Sequence, residues 1–366
     1  MNRFVLLFLI TAALSDITGP IAFAQRSRDD YSQAIQGTDQ SIPMVWVSGG
    51  ELMISSFVPR EHDAQAELSK KVKVNAFWIG KYEVRYLEFD TWRQDMSNAA
   101  DPIAKRLVKL NGTHGLSHAL LDNRPDRVDR PATGMNQWSA KRFCHWLSIS
   151  TGRFYRLPTE AEWELACRGG DTSRSLFPWG DDPQQLAEFA VIGSGDENAR
   201  CGPVGQRSPN GYGIFDMLGN VEEWVADGFD ESRIGLTVDS DPIVWPVSSR
   251  LSGLREKLQH DMSSRRQHFV DGFGVAKGGS GLNGRPRDWR AFTVSARTNP
   301  IAYDYADTVA APQDQPREMS HEMASAIGFR IACPAKIPER EIQLWHWGIY
   351  SASEQWLDTT FEPTSE

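Results

Sequence analysis

The chain has 366 residues, 40% hydrophobic and 24% charged, an ordinary globular composition that suffices for one large domain or two small ones with a sizeable core. Lys and Arg number 39 against 48 Asp and Glu, a net charge of -9, so phosphate backbones are repelled on average; with no basic stripe in the chain, nucleic acid is excluded as a partner. Thirteen Trp are a high load, but Trp lines cores and ligand surfaces alike, so the count decides nothing.

At the N-terminus, Asn2-Arg3 precedes the apolar run Phe4 to Leu14, and Ala22-Phe23-Ala24 ahead of Gln25 has the small-x-small form of a cleavage site. The pattern predicts a signal peptide over residues 1–24, cleaved after Ala24, and hence a periplasmic or secreted protein. The apolar run is short for a bilayer, and no other stretch approaches the ~20 apolar residues of a membrane span, so none is expected after cleavage. An oxidising compartment makes Cys144, Cys167, Cys201 and Cys333 candidate disulfides with three possible pairings. No Cys-x-x-Cys occurs, which leaves a structural zinc knuckle unsupported.

Residues 25–42, rich in Ser, Asp, Gln and Arg, read as a flexible leader, with order beginning at Pro43. Met44 to Val47 ahead of Gly49-Gly50 predicts a strand running into a turn, and the alternation from Val72 to Ile79 predicts a half-buried strand after a charged loop. Phe77-Trp78-Ile79-Gly80-Lys81-Tyr82-Glu83-Val84 then reads as a strand feeding a helix, whose expected hydroxyl cap is replaced by Arg85. Residues 97–130 are polar and predict a surface excursion. From Asn136, Ala140, Phe143, Cys144 and Leu147 recur on one face of a helix that Gly152 closes.

The most complete helix signal is Arg156-Leu157-Pro158-Thr159-Glu160-Ala161-Glu162-Trp163-Glu164-Leu165-Ala166-Cys167-Arg168-Gly169-Gly170. Thr159 and Glu162 form a capping box, Glu160 and Glu162 suit the positive helix end, and Gly169-Gly170 allow the left-handed stop. Taken alone these residues describe a well-capped packing helix. A turn Leu176-Phe177-Pro178-Trp179-Gly180 follows, then the block from Pro209 to Trp224, then Lys277-Gly278-Gly279-Ser280 and Gly328-Phe329-Arg330. Residues 229–274 read as an insertion with a charged, helix-capable centre, and residues 335–366 as an acidic extension carrying Trp345, Trp347 and Trp356, lying on the domain or on a partner.

These blocks, in this order over residues 43–334, resemble those of the formylglycine-generating enzyme, or sulfatase-modifying factor, family. Lys277 stands where Arg is usual. The resemblance implies an irregular α+β fold related to C-type lectins. It also implies that two cysteines after the Gly-Gly-Ser block would bind copper(I) for oxidation of a sulfatase cysteine; here those places hold Asn283 and Asp288, neither a copper(I) ligand, so copper is not expected. The family's calcium turn maps onto Asp216, Gly219, Val221 and Glu223, oxygen donors suited to a hard cation. Its Cys144 counterpart is bridged to the Gly-Phe-Arg strand, which implies pairing with Cys333. Cys167 resembles a family cysteine whose partner position is Thr293 in this chain, and Cys201 is assigned to it. Asn283, Arg285, Arg287, Asp288, Trp289 and Arg290 form a candidate groove.

Two function classes follow from the resemblance. One is a calcium-stabilised binding or regulatory protein with a protein or peptide partner in the periplasm, secretion signalling being a precedent. The other is a divergent oxidoreductase or maturation enzyme of the same family acting on a peptide, sulfatase or siderophore-type substrate.

Overall fold

A computed structural model describes residues 28–56, 68–98, 127–135, 137–192, 201–228, 237–238, 241–242, 274–280, 289–298 and 327–347. Strands begin earlier than expected. The segment read as a flexible leader carries β1 (Tyr31–Ala34), which pairs antiparallel with β2 (Ser41–Val47) and is pinned by Asp30, whose carboxylate accepts the Trp46 amide at 2.8 Å. Its polar composition hid it, because an edge strand needs backbone partners more than apolar side chains.

Two further corrections concern the next strands. The expected charged loop contains β3 (Gly50–Ser56), with Leu52 and Ile54 buried, and the single strand expected over Val72 to Ile79 is two: β4 (Leu68–Val74) pairs with β3, and β5 (Phe77–Gly80) pairs with β2. Asn75-Ala76 breaks the run, so continuous alternation in the sequence conceals a change of sheet. Gly49 packs against this break; a Cβ there would lie 2.4 Å from the Val74 carbonyl oxygen.

Helix α1 (Tyr86–Asn98) starts without a hydroxyl cap, and Glu88 supplies the missing function: its carboxylate accepts the Arg85 amide at 2.8 Å and pairs with the Arg85 guanidinium. Helix α2 (Gln137–Thr151) buries Ala140, Phe143, Cys144 and Leu147 as their spacing predicts, and Gly152 ends it at φ +70°. The Asn136 cap lies outside the described residues. Helix α3 (Glu160–Cys167) shows the full capping box and stops at Gly169 and Gly170, both at positive φ. A one-turn helix α4 (Leu186–Phe189) follows the Phe177–Gly180 turn.

A second sheet forms from β6 (Glu222–Gly228), β9 (Gly274–Lys277), β10 (Arg297–Thr298) and β11 (Ile327–Phe329), in the order β10-β9-β6-β11, with β11 parallel to β6. The chain then crosses to the first sheet, where β12 (Ala332–Pro334) completes the order β1-β2-β5-β12. Arg330 therefore sits where the two sheets meet. Within the insertion, β7 (Thr237–Val238) and β8 (Asp241–Pro242) pair with each other; its helix-capable centre lies outside the described residues.

Two cores lie on either side of the first sheet. Period-two alternation along β2 sends Ile42 and Met44 into a cluster with Trp78, Phe89, Phe143 and Phe329, and Val45 and Val47 into another with Trp163, Phe177 and Val275. The C-terminal extension joins the first cluster. Helix α5 (Arg340–His346) lays Trp347 against Phe154 and His145, and the buried indole donates to the Tyr155 carbonyl at 2.8 Å. Up to Trp347, then, the extension belongs to the domain.

The expected disulfides are not formed. All four cysteines are buried without a sulfur–sulfur bond; Cys144 and Cys333 share the first core cluster, whereas Cys167 belongs to the second and Cys201 packs with Val221 outside both. The assignment of Cys201 to Cys167 thus joins residues that the fold puts in separate clusters. Among the described residues no helix is long and apolar enough to cross a membrane.

Candidate functional site

The motif residues meet in a buried network of charge. On α3, Glu162 receives the Arg156 guanidinium through two bonds of 2.6 Å while also capping Thr159, and Glu164 accepts Arg168 at 2.9 Å. Glu160 faces Arg297 at 3.3 Å and Lys277 at 3.6 Å, and Lys277 lies 3.8 Å from Glu164, beyond hydrogen-bond reach of either carboxylate. Burial pushes Glu164 above the usual carboxylate range, against the pull of Lys277 and Arg168. At the helix N-terminus, the Asp227 carboxylate accepts the Glu160 amide at 2.6 Å; burial and the Glu160 charge push Asp227 up to about 7.

Trp163 links this network to the turn expected to hold calcium. Its indole donates to Glu223 at 2.8 Å, and Glu223 in turn receives Arg330 through two bonds, Nε at 2.7 Å and Nη2 at 2.6 Å. Arg330 also donates to the carbonyls of Gly80, Phe215 and Asp216, so one guanidinium ties β5, the turn and the sheet crossover together. The turn itself needs unusual backbone: Asp216 and Asn220 lie at φ 55° and 56°. Asp216 accepts the Gly205 amide through one oxygen at 2.6 Å, and Asn220 accepts the Gly202 amide at 2.9 Å, which holds the loop from Cys201 against the turn.

The donor set fits a cation at Asp216, whose second carboxylate oxygen is buried with no hydrogen-bond partner. Glu223 is committed elsewhere, to the Arg330 fork and the Trp163 indole. Beside both stands Glu83, which in the sequence is only one residue of a strand-to-helix block. Neither oxygen of its carboxylate bonds another residue; burial and the Asp216 charge push it well above the usual range. Nothing in periodicity or spacing marks Glu83, since a lone acid between strand and helix normally faces water. Among the described residues no three His, Cys, Asp or Glu side chains gather closely enough to hold an ion by themselves, so backbone carbonyls would have to contribute.

Of the candidate groove, Asn283, Arg285, Arg287 and Asp288 lie outside the described residues. Trp289 opens a short 3-10 helix and packs on the second core beside Phe177, with Arg290 over its ring at 5.0 Å.

With two four-stranded sheets, two two-stranded ones and short helices among the described residues, the architecture is the irregular α+β class related to C-type lectins. The family model described as a sulfatase-modifying factor enzyme 1-like domain matches residues 32–334, and the chain belongs to that family. It is 40% identical to the formylglycine-generating enzyme of Bos taurus over 111 residues, which are 28% of this chain and 28% of the bovine protein. Among solved structures it is similar to PvdO from Pseudomonas aeruginosa, with a TM-score of 0.53 and 20% identity over 85% of this chain and 100% of that one. Treponema denticola variable protein 1 has a TM-score of 0.51 and 20% identity over 83% of this chain and 99% of that one. At such identity the two structures support the shared fold alone.

Proposed function

We propose that this is an exported binding or regulatory protein that keeps the family scaffold, holds a calcium ion at the turn around Asp216, and does not form formylglycine. The state of the thiols carries the reading. Copper(I) needs thiolates that the metal can reach. Here the cysteines at 144, 167, 201 and 333 are 0%, 0%, 6% and 0% exposed, and burial pushes the Cys144 and Cys167 thiols up, away from the thiolate form. By the family resemblance, the places of the copper pair hold Asn283 and Asp288.

Calcium would draw on the Asp216 carboxylate and the Gly219 and Val221 carbonyls, and when bound it supplies positive charge that braces the turn against the core. Export rests on the signal-peptide pattern, and a protein or peptide partner in the same compartment is the class of ligand proposed. N-terminal sequencing of the exported protein should begin at Gln25. Titration of the purified protein with copper(I) against a competing chelator is the direct test of the ligand argument. No withdrawal of copper from the chelator is expected; a stoichiometric, high-affinity complex overturns the reading.

A further inference from the structure

Helix α5 has seven residues, too few to keep a helical shape in water without tertiary support. Two of its side chains bond within the segment: the Gln343 amide donates to the Pro338 carbonyl at 2.8 Å, and Arg340 donates to Gln343 at 2.9 Å. Docking rests on the last turn and the residue after it, where Leu344 and Trp347 pack on the first core and His346 packs on Phe154. Docking and folding of α5 are therefore one event, and whatever weakens the grip of this turn releases the whole helix.

His346 is the weak point of that grip. Its ring is buried edge-on to Phe154, with centroids 5.8 Å apart, and its Nδ1 has no hydrogen-bond partner. The charged groups that act on it are both positive: Arg156, from the segment leading into α3, and Lys141, from α2. Both are held in place, Arg156 by two bonds to Glu162 and one to the Leu157 carbonyl at 3.0 Å, Lys141 by a bond to Gln137 at 3.0 Å. The carboxylate on this side, Glu162, is taken up by Arg156 and the Thr159 cap. Two further cationic or titratable groups touch the same turn through Trp347: His145 of α2 packs on the indole at 4.6 Å, and Arg340 lies over it at 5.3 Å. A helix C-terminus by itself welcomes a positive ring. Here burial, and then the Arg156 and Lys141 charges, outweigh that and hold the imidazole well below its ordinary range.

We propose that α5 is an acid-released clasp: it closes the first core while His346 is neutral, and protonation of that ring frees the helix and draws Trp347 out of the slot between α2 and Phe154. The docked helix accepts only the neutral ring, whereas the released one lets it bind a proton at the ordinary value of about 6.5. The docked state is therefore at full strength above pH ~6.5 and loses strength as pH falls from there toward the depressed value. One proton changes the docking equilibrium by up to about tenfold for each pH unit in that window.

The test is amide hydrogen exchange on the full exported chain between pH 5 and pH 8, read as protection factors so that the pH dependence of the chemical exchange rate is removed. In wild type, protection over residues 341–347 should be constant above pH 7 and fall by up to about tenfold per unit below 6.5, while protection in α3 does not fall. His346→Gln, which takes up no proton, should match wild type at pH 8 and keep that protection down to pH 5. Protection of α5 that does not change with pH in wild type overturns the proposal. So does a fall shared with α3, which marks acid unfolding of the whole domain, and so does an undiminished fall in His346→Gln, which assigns the titration to another group such as His145. Should His346→Gln leave α5 unprotected at pH 8, His346→Leu takes its place, with an apolar side chain against Phe154; a fall in that variant equal to the wild-type one overturns the proposal in the same way.

Discussion

Arg330 shows how much one side chain can hold. Its planar fork satisfies Glu223 through two nitrogens and three carbonyls besides, a geometry that an ammonium cannot reproduce. Arg330→Lys should lower the free energy of unfolding by ~3–5 kcal/mol in urea titrations, the cost of breaking a buried pair and leaving its partner charged. The converse holds at Lys277, which stands where the family resemblance expects Arg and reaches neither Glu160 nor Glu164 within hydrogen-bond distance. Lys277→Arg should raise stability by about 1 kcal/mol by supplying those bonds; a fall instead would mean that the site has no room for the larger group. Asp227 gives a pH signature. Its pKa rises from an ordinary 3.8 to about 7 on folding, so the folded state holds the proton more tightly. The contribution is fully present below pH 4 and is lost as pH rises through 7. Asp227→Asn keeps an acceptor for the Glu160 amide and removes the titration, so the variant should gain on wild type between pH 4 and 8, on the order of a few kcal/mol. A stability difference that does not change with pH would contradict the assignment. At this scale the sequence was legible where a motif names its own partner, as Thr159 names Glu162. It was silent on Glu83, whose carboxylate bonds no other residue, and on Asp227, whose partner Glu160 lies far from it in the chain.

Among elements, α3 and α5 make opposite points. The start, body and stop of α3 were readable because capping is local, and Thr159→Ala should cost ~1 kcal/mol. Its tertiary role was not readable: nothing local marks Glu160, Glu162 and Glu164 as buried, yet all three are, because Arg156 and Arg168 flank the helix and Lys277 and Arg297 come to it from the second sheet. The same limit applies to β3, β4 and β5, where alternation is continuous and only pairing reveals two sheets. Helix α5 lies beyond the family blocks, and its Trp347 left open whether the extension lay on the domain or on a partner. Trp347 is now seen to fill the first core. Trp347→Ala should destabilise by ~3–5 kcal/mol and make the segment after Pro334 susceptible to limited proteolysis. If the variant unfolds at the wild-type urea midpoint, α5 contributes no core contact of consequence.

For the molecule as a whole, four of the sequence blocks that carry the family resemblance converge on one buried network. Trp163 from the capped helix reaches Glu223 from the turn block, Glu223 reaches Arg330 from the last strand, and Lys277 from the Gly-Gly-Ser block returns to the helix. Such residues specify a fold, and a chain can keep them after losing the chemistry that first went with them. The fold was therefore legible from the blocks, whereas the proposal that no formylglycine is formed rests on residues 281–288, where the sequence departs from the resemblance. Incubating the purified protein with copper(I) and a peptide of the Cys-x-Pro-x-Arg type under oxygen, followed by mass spectrometry, tests this account most directly. An unchanged peptide is the predicted result; the loss of mass that marks conversion of cysteine to the aldehyde would contradict it.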